Sequence, residues 1–211
     1  MNVLVTAGAT REPIDAVRFI SNLSSGATGA ALAEALAAVG HTVSLLHGEG
    51  AVVALRSQDR ETFGSAADLA KRLRRRLAAG TIDAVLMAAA VSDFRVANEA
   101  AGKISSATPE LTLRLVRNVK LLPQLKSWSP RPLRVIGFKL TVGADAAARR
   151  TAIATQFAAG GVDAVVQNDL VEFRAAERAT HPFRLFRTPE LDPPPIAGVP
   201  ALAAALAPLL A

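Results

Sequence analysis

Residues 11–29, Arg-Glu-Pro-Ile-Asp-Ala-Val-Arg-Phe-Ile-Ser-Asn-Leu-Ser-Ser-Gly-Ala-Thr-Gly, carry the side chains best suited to chemistry on an anion. Ser24-Ser25-Gly26 sets two hydroxyl donors beside a residue without a Cβ, which lets a ligand approach the backbone. Gly29 follows on the next turn, where a missing side chain lets a helix lie close to a sheet or to a ligand. The same residues also make an ordinary serine N-cap followed by helix glycines, and alone they do not separate the two readings. Arg18 and Asn22 favour the ligand. A cation and an uncharged amide four residues apart, upstream of a helix start whose N–H groups and dipole attract negative charge, are what a phosphate-bearing acyl intermediate needs.

Such a loop requires a strand before it and a helix after it. Val3-Leu4-Val5-Thr6 reads as the strand, ending at the turn signal Ala7-Gly8-Ala9. The helix is expected to begin near Ser24 or Ser25 and to stop at Gly40. Thr42-Val43-Ser44-Leu45-Leu46 then supplies a second strand. The resulting βαβ unit crosses over right-handed and places the Gly8 turn at the carboxyl edge of a parallel sheet.

Further along, Val52-Val53-Ala54-Leu55 reads as a short third strand and residues 66–79 as a helix. Residues 82–87 form a buried strand running into Ala88-Ala89-Ala90-Val91-Ser92-Asp93-Phe94. Small residues at a strand end leave room for a ligand, and Asp93 then stands at the rim, either as a site residue or as a turn or cap aspartate. Residues 95–109 lose periodicity and read as a loop around Gly102-Lys103-Ile104-Ser105-Ser106, whose lysine either closes over a polyphosphate or is merely exposed. Residues 111–116 alternate like a half-exposed strand, and 121–126 suggest a short helix. Strands at 133–138 and 162–169 flank a helix at 145–159, so Asn168 reaches the same edge as Gly8 and Asp93. A late strand at 183–187, a stiff loop at 192–195 and a helix at 201–210 interrupted at Pro208 complete the chain.

A chain of 211 residues in which apolar strands alternate with Ala/Leu-rich helices is expected to fold as one α/β domain over residues 1–211. Hydrophobic residues make up 51%, yet no apolar run approaches the roughly 20 residues of a membrane span, and no signal peptide opens the chain. The expectation is a soluble, cytoplasmic protein. The absence of cysteine excludes thiolate catalysis and disulfides. A formal charge of +6 suits acidic small molecules as well as nucleic acid. Much of it lies in Lys71-Arg72-Leu73-Arg74-Arg75-Arg76, where Leu69, Leu73 and Leu77 at helical spacing mark the solvated face of an amphipathic helix. No aromatic partner for bases is near, so nucleic acid is not expected. His41, His47 and His181 are scattered, without metal-ligand spacing.

Several separate motifs in one order now carry a resemblance. Val5-Thr6-Ala7-Gly8 with Thr10-Arg11-Glu12-Pro13, Val17-Arg18-Phe19-Ile20-Ser21-Asn22, Ser24-Ser25-Gly26, residues 88–94, Lys103-Ile104, Gly137-Phe138-Lys139-Leu140 and Asn168-Asp169-Leu170 together resemble the phosphopantothenoylcysteine synthetase family over residues 3–169. The resemblance implies an α/β fold with a doubly wound, mostly parallel Rossmann-like sheet and helices on both faces. It also implies a homodimeric enzyme of coenzyme A biosynthesis that joins 4′-phosphopantothenate to L-cysteine through an acyl-nucleotide, with CTP as co-substrate and Mg2+. Because the chain starts at the first strand, the stand-alone form is expected.

Carried over from the family, Asn22 matches the catalytic asparagine, Arg18 an arginine that helps hold phosphopantothenate, and Lys103 the mobile-loop lysine. Ser24, Gly26 and Gly29, with Ser25 and the Gly8 turn beside them, match nucleotide-phosphate positions. Ala89, Ala90 and Asp93 match the substrate-lining segment, and Phe138 and Asn168 match nucleotide-contacting positions; the resemblance implies no metal ligands. The Lys103 loop and residues 137–140 look more like the eukaryotic form, which keeps ATP open as the alternative co-substrate.

Two other readings stand beside the ligase. A nicotinamide-dependent reductase would share the fold, but the first turn lacks Gly-x-Gly-x-x-Gly and Leu46-His47-Gly48 lacks the ribose-binding acid. A catalytically silent nucleotide-binding paralogue would keep the fold and lose lysines, and retained Asn22, Asp93 and Lys103 favour the enzyme.

Overall fold

Strands rich in Val, Leu and Ala with no polar alternation can be stable only if both of their faces are covered, so the topology follows from where the helices go. A computed structural model describes residues 1–57, 59–107, 109–177 and 179–211; Gln58, Thr108 and Arg178 lie outside the described residues, Thr108 within the expected 95–109 loop. The chain runs β1 (Asn2–Ala7), a hairpin of β2 (Arg11–Pro13) and β3 (Phe19–Ser21), α1 (Ala27–Ala38), β4 (Thr42–Gly48), β5 (Asp59–Phe63) and α2 (Ala66–Ala78). It continues through β6 (Ala84–Met87), a ribbon of β7 (Phe94–Val96) and β8 (Leu115–Arg117), the 3₁₀ segment Leu122–Trp128, β9 (Arg134–Thr141), α3 (Ala146–Ala158) and β10 (Ala164–Asp169). Last come α4 (Leu170–Ala175), β11 (Pro182–Phe186), β12 (Ile196–Ala197), α5 (Gly198–Leu206) and the 3₁₀ turn Ala207–Leu209.

Eight strands form one sheet in the order β12-β11-β10-β9-β6-β1-β4-β5, with the two hairpins outside it. The six strands from β10 to β5 are parallel, and β11 and β12 close one edge antiparallel. From β1 the chain winds outward through β4 and β5, then returns to the other side of β1 as β6 and winds the opposite way. The reversal between β1 and β6 is the switch point where open α/β sheets bind ligands. This is the doubly wound, mostly parallel architecture expected. On one face α1 and α5 bury Leu32, Leu36, Leu202 and Leu206 against Val3, Val5, Ile136 and Val166. On the other, α2 and the 3₁₀ segment bury Leu69, Leu73, Leu77 and Leu125 against Leu4, Val85 and Val135, and α3 adds Ile153 against Val165.

Four expectations need correction. The third strand is not residues 52–55 but β5, at the sheet edge, where Asp59, Arg60 and Glu61 are tolerated because an edge strand accepts charge. Residues 52–55 instead form a loop pinned by Val52 N–H donating to Ser25 O at 2.9 Å, with Ala54 buried and Leu55 84% exposed. Residues 11–21 hold a hairpin where only a loop was expected, and residues 94–96 pair with 115–117 where a loop and a longer strand were read. The first helix starts at Ala27, later than Ser24 or Ser25, because Gly26 adopts a left-handed conformation at φ 76° and delays the first helical residue.

The basic run on α2 closes onto that acidic edge strand. Arg75 Nη2 donates to Glu61 Oε2 at 2.5 Å, Arg72 and Arg76 join the same carboxylate, and Arg76 also pairs with Asp59. Burial pushes Glu61 up, but the guanidinium groups outweigh it and hold its carboxyl below the ordinary value. Most of the charge run is therefore spent within the fold.

Candidate active site

Past the ends of β1 and β6 the two strands stay joined: Ala90 N–H donates to Gly8 O at 2.8 Å and Thr10 N–H to Ala90 O at 3.2 Å. Two buried threonines beneath this seam hold the Ala-rich segment in place. Thr6 Oγ1 accepts from Ala89 N–H and Thr10 Oγ1 from Ser92 N–H, each at 3.0 Å. Both hydroxyls went unnoticed in the sequence, because a threonine in a buried strand reads as a β-former.

Above the seam lies a cleft of about 250 Å³. One wall is the start of α1, residues 23–29; the floor is residues 88–90; the far wall is Phe138 and Leu140 from β9, Asn168 from β10, and Leu170 and Phe173 from α4. The start of α1 has no side-chain cap: Gly26 brings none, and Ser25 Oγ accepts from Ala27 N–H only at 3.4 Å. First-turn amides and the positive end of the dipole therefore face the cleft, which is the geometry for a phosphate.

The glycines fit this helix against the strand end. A Cβ on Gly29 would lie 2.7 Å from Ala7 Cβ and 3.0 Å from Thr6 O, and one on Gly26 would lie 2.9 Å from Gly8 N. Both thus serve close backbone packing while lining the cleft. On the opposite side Asp169 fixes the end of β10. Burial pushes its carboxyl up, but the Thr141 hydroxyl and the N–H groups of Ala144, Gly143 and Val171 outweigh this and hold it well below the usual carboxylate range.

Ser24, Ser25, Gly26, Gly29, Ala89, Ala90, Phe138 and Asn168 all line the cleft. Gly8 lies beneath it, in backbone contact with Gly26. Four others stand apart from the cleft wall. Asn22 is exposed just after β3, one residue before Leu23, which does line the cleft. Asp93 lies beyond β6 and pairs with Lys120. Arg18 sits at the tip of the β2/β3 hairpin, where it binds Asp15 and donates to Ile104 O at 2.7 Å. Lys103 is exposed, and its neighbour Ile104 is docked on that tip, so the lysine lies beside Arg18 in the chain's folded form.

Asp15 was not singled out in the sequence, where it lies within the loop that follows the first strand. It is 4% exposed, and Oδ1 accepts from the N–H groups of Val17 and Arg18 while Oδ2 accepts from Ile104 N–H at 3.0 Å. Glu12 was also missed: its buried carboxylate accepts from Ala66 N–H at 2.9 Å and ties the hairpin to the start of α2. Among the described residues no group of three or more His, Cys, Asp or Glu could hold a metal ion.

Comparison with known proteins agrees with this geometry. A family model described as the DNA/pantothenate metabolism flavoprotein C-terminal domain matches residues 1–190. The chain is 37% identical over 175 residues to the coenzyme A biosynthesis bifunctional protein CoaBC of Thermococcus kodakarensis, covering 83% of this chain and 43% of that one. It is 37% identical over 150 residues to the protein of the same name from Mycolicibacterium smegmatis, covering 68% and 36%. The chain thus spans less than half the length of these relatives. Among solved structures, the DNA/pantothenate metabolism flavoprotein of Streptococcus pneumoniae superposes with a TM-score of 0.86 at 23% identity, over 100% of this chain and 98% of that one. A Cab2 variant in complex with phosphopantothenate-cysteine superposes with a TM-score of 0.73 at 22% identity, over 88% and 76%. At such identities these two likenesses speak for the fold.

Proposed function

We propose, from the premise that this chain belongs to the DNA/pantothenate metabolism flavoprotein C-terminal domain family, that it joins 4′-phosphopantothenate to L-cysteine at the expense of a nucleoside triphosphate, CTP in our reading. The observation that carries the proposal is the uncapped start of α1 facing the Ala-rich end of β6 across the switch point, an anion site beside an apolar wall. The names of the relatives, coenzyme A biosynthesis bifunctional proteins, agree with that chemistry.

The phosphopantothenate carboxylate is ionised at neutral pH and needs alignment and charge neutralisation more than a base. It attacks the α-phosphate, pyrophosphate leaves, and the amine of cysteine then attacks the acyl carbon and expels the nucleoside monophosphate. The helix amides hold phosphate oxygens, and Arg18 and Lys103 offer cations on the hairpin side. Among the described residues there is no carboxylate cage for Mg2+, and a magnesium ion would arrive on phosphate oxygens and water, where it would neutralise phosphate charge.

Homodimer formation is part of the proposal. The two hairpins touch each other and expose Val17, Phe19, Phe94 and Leu115, an apolar surface that a second copy would cover. That residues 1–211 act as one ligase unit in the cytoplasm is likewise our reading; among the described residues no helix is long and apolar enough to cross a membrane.

The test is pyrophosphate release from 4′-phosphopantothenate, cysteine and each triphosphate. A single burst of release that needs 4′-phosphopantothenate but not cysteine, with continued release once cysteine is added, supports the ligase. Nucleotide binding without release would replace it by the silent paralogue.

A further inference from the structure

The cleft has two chemically distinct ends, and the apolar one contains a ring that no motif predicted. Leu170 and Phe173 are three apart on α4, so they share one face of it, and both line the cleft opposite the α1 start. Phe138 stands on the neighbouring strand system: its residue pairs with Val166 on β10, the strand that leads directly into α4. The cleft is therefore bounded by amides at one end and by two phenyl rings at the other.

Phe173 is 36% exposed, much for a phenyl ring held in place, and its backing explains how it is held. Its ring meets His181 edge to face, with centroids 4.6 Å apart at 65°, and His181 meets Phe183 in the same way at 4.3 Å and 62°. Phe183 is fully buried in the core under α5, and His181 is 3% exposed with its carbonyl accepting from Gly198 N–H. An imidazole between two phenyls thus ties a solvent-facing ring to the core. Edge-to-face contacts fix ring orientation, which a leucine in the same place would leave free.

Resting on the nucleotide reading above, we propose that Phe173 is the stacking wall for the nucleobase and that His181 is a positioning residue acting through it. The triphosphate lies at the amide end, and its planar, weakly polar base is the part of the ligand that suits the phenyl end. Stacking against an aromatic side chain tolerates any base, so Phe173 contributes affinity and backbone groups at the ring edge are left to discriminate.

Titration calorimetry on the full chain tests this with CTP, ATP and inorganic tripolyphosphate. Phe173→Ala is expected to weaken the preferred nucleotide by roughly 10- to 100-fold, the range typical of removing one stacked aromatic, and to leave tripolyphosphate unchanged, which also shows that the variant is folded. Phe173→Tyr should bind like the parent protein and Phe173→Leu like the alanine variant. His181→Ala should weaken nucleotide binding in the parent and have no further effect when Phe173 is already alanine. Parent-like nucleotide affinity in Phe173→Ala overturns the stacking wall while leaving the ligase reading intact, whereas a parent protein that binds tripolyphosphate but neither nucleotide overturns both.

Discussion

Arg18 is bound to Asp15: its Nη2 and Nε lie 2.5 and 2.9 Å from Asp15 Oδ2, and the same Nη2 donates to Ile104 O at 2.7 Å. Because Ile104 N–H also donates to Asp15, the carboxylate, the guanidinium and the Lys103 loop form one closed set of hydrogen bonds. A residue picked from the sequence as an anion ligand is thus already committed to a carboxylate. Arg18 keeps 39% of its side chain exposed, so a substrate phosphate can still meet its outer face while Asp15 fixes the inner one.

The first prediction follows from that set. Asp15→Asn should release the loop, and tryptic cleavage after Lys103, followed by mass spectrometry, should accelerate at least tenfold. Lys103→Ala should raise KM for nucleotide, and adding it to Asp15→Asn should cost little more, since both act on one element. The Arg18 guanidinium, joined by the Ile104 N–H and opposed by burial, holds the Asp15 carboxyl well below the usual carboxylate range. A depressed carboxylate contributes stability that is present above its unfolded value of about 4 and is lost as pH falls below it. Melting temperatures of the parent and Asp15→Asn should differ at pH 7 and converge in acid. A constant difference across that range would show that the charge is not what stabilises.

A second prediction concerns Gly29. In an exposed helix Gly→Ala stabilises by about 1 kcal/mol, but here the new Cβ would meet Ala7 Cβ at 2.7 Å and the Thr6 carbonyl at 3.0 Å. Overpacking of that kind costs about 1–3 kcal/mol, so the clash wins. Gly29→Ala should lower the denaturant midpoint and, by pushing α1 outward, weaken triphosphate binding. A stabilised variant would mean that the helix has room to shift.

Asn22 supports a third. Its amide lies one residue before the cleft wall, where a carboxylate would repel the phosphate of an acyl-nucleotide. Asn22→Asp should therefore impair capture of that intermediate by cysteine more than its formation. In quenched single turnovers the expected outcome is acyl-nucleotide accumulating ahead of product; normal product formation would remove Asn22 from the mechanism.

The interior of the fold was legible because buried parallel strands such as residues 84–87 and 164–169 have no other way to satisfy their composition. The edge was not. Asp59-Arg60-Glu61 gains strand geometry only from β4 beside it, while the apolar run at 52–55 loses it to the contact with Ser25. Cleft residues that work through the backbone, Gly26, Gly29, Ala89 and Ala90, were visible from spacing and size. Residues that work through side-chain contacts distant in sequence, Asp15 with Ile104 at the hairpin tip and Phe173 with His181 at the cleft, carry no local signal, since their partners lie 89 and 8 residues away.

The last prediction is the choice of nucleotide. The resemblance to the bacterial form of the family implies CTP, whereas the Lys103 loop and residues 137–140 look eukaryotic and keep ATP open. The cleft offers small side chains at 88–90 and phenyl rings at 138 and 173, and neither type rejects a base by its chemistry. Discrimination must come from the ring edge, where backbone groups placed for the smaller cytosine would meet a purine with a clash and leave polar atoms unpaired. The start of the chain follows the bacterial pattern closely, and that likeness favours CTP. We therefore expect CTP to be consumed in preference to ATP when both are supplied at equal concentration with 4′-phosphopantothenate and cysteine, measured as CMP against AMP. Preferential formation of AMP would overturn the choice of base and leave the ligase chemistry standing, because the phosphate end of the cleft, built from the α1 amides, is the same for either nucleotide.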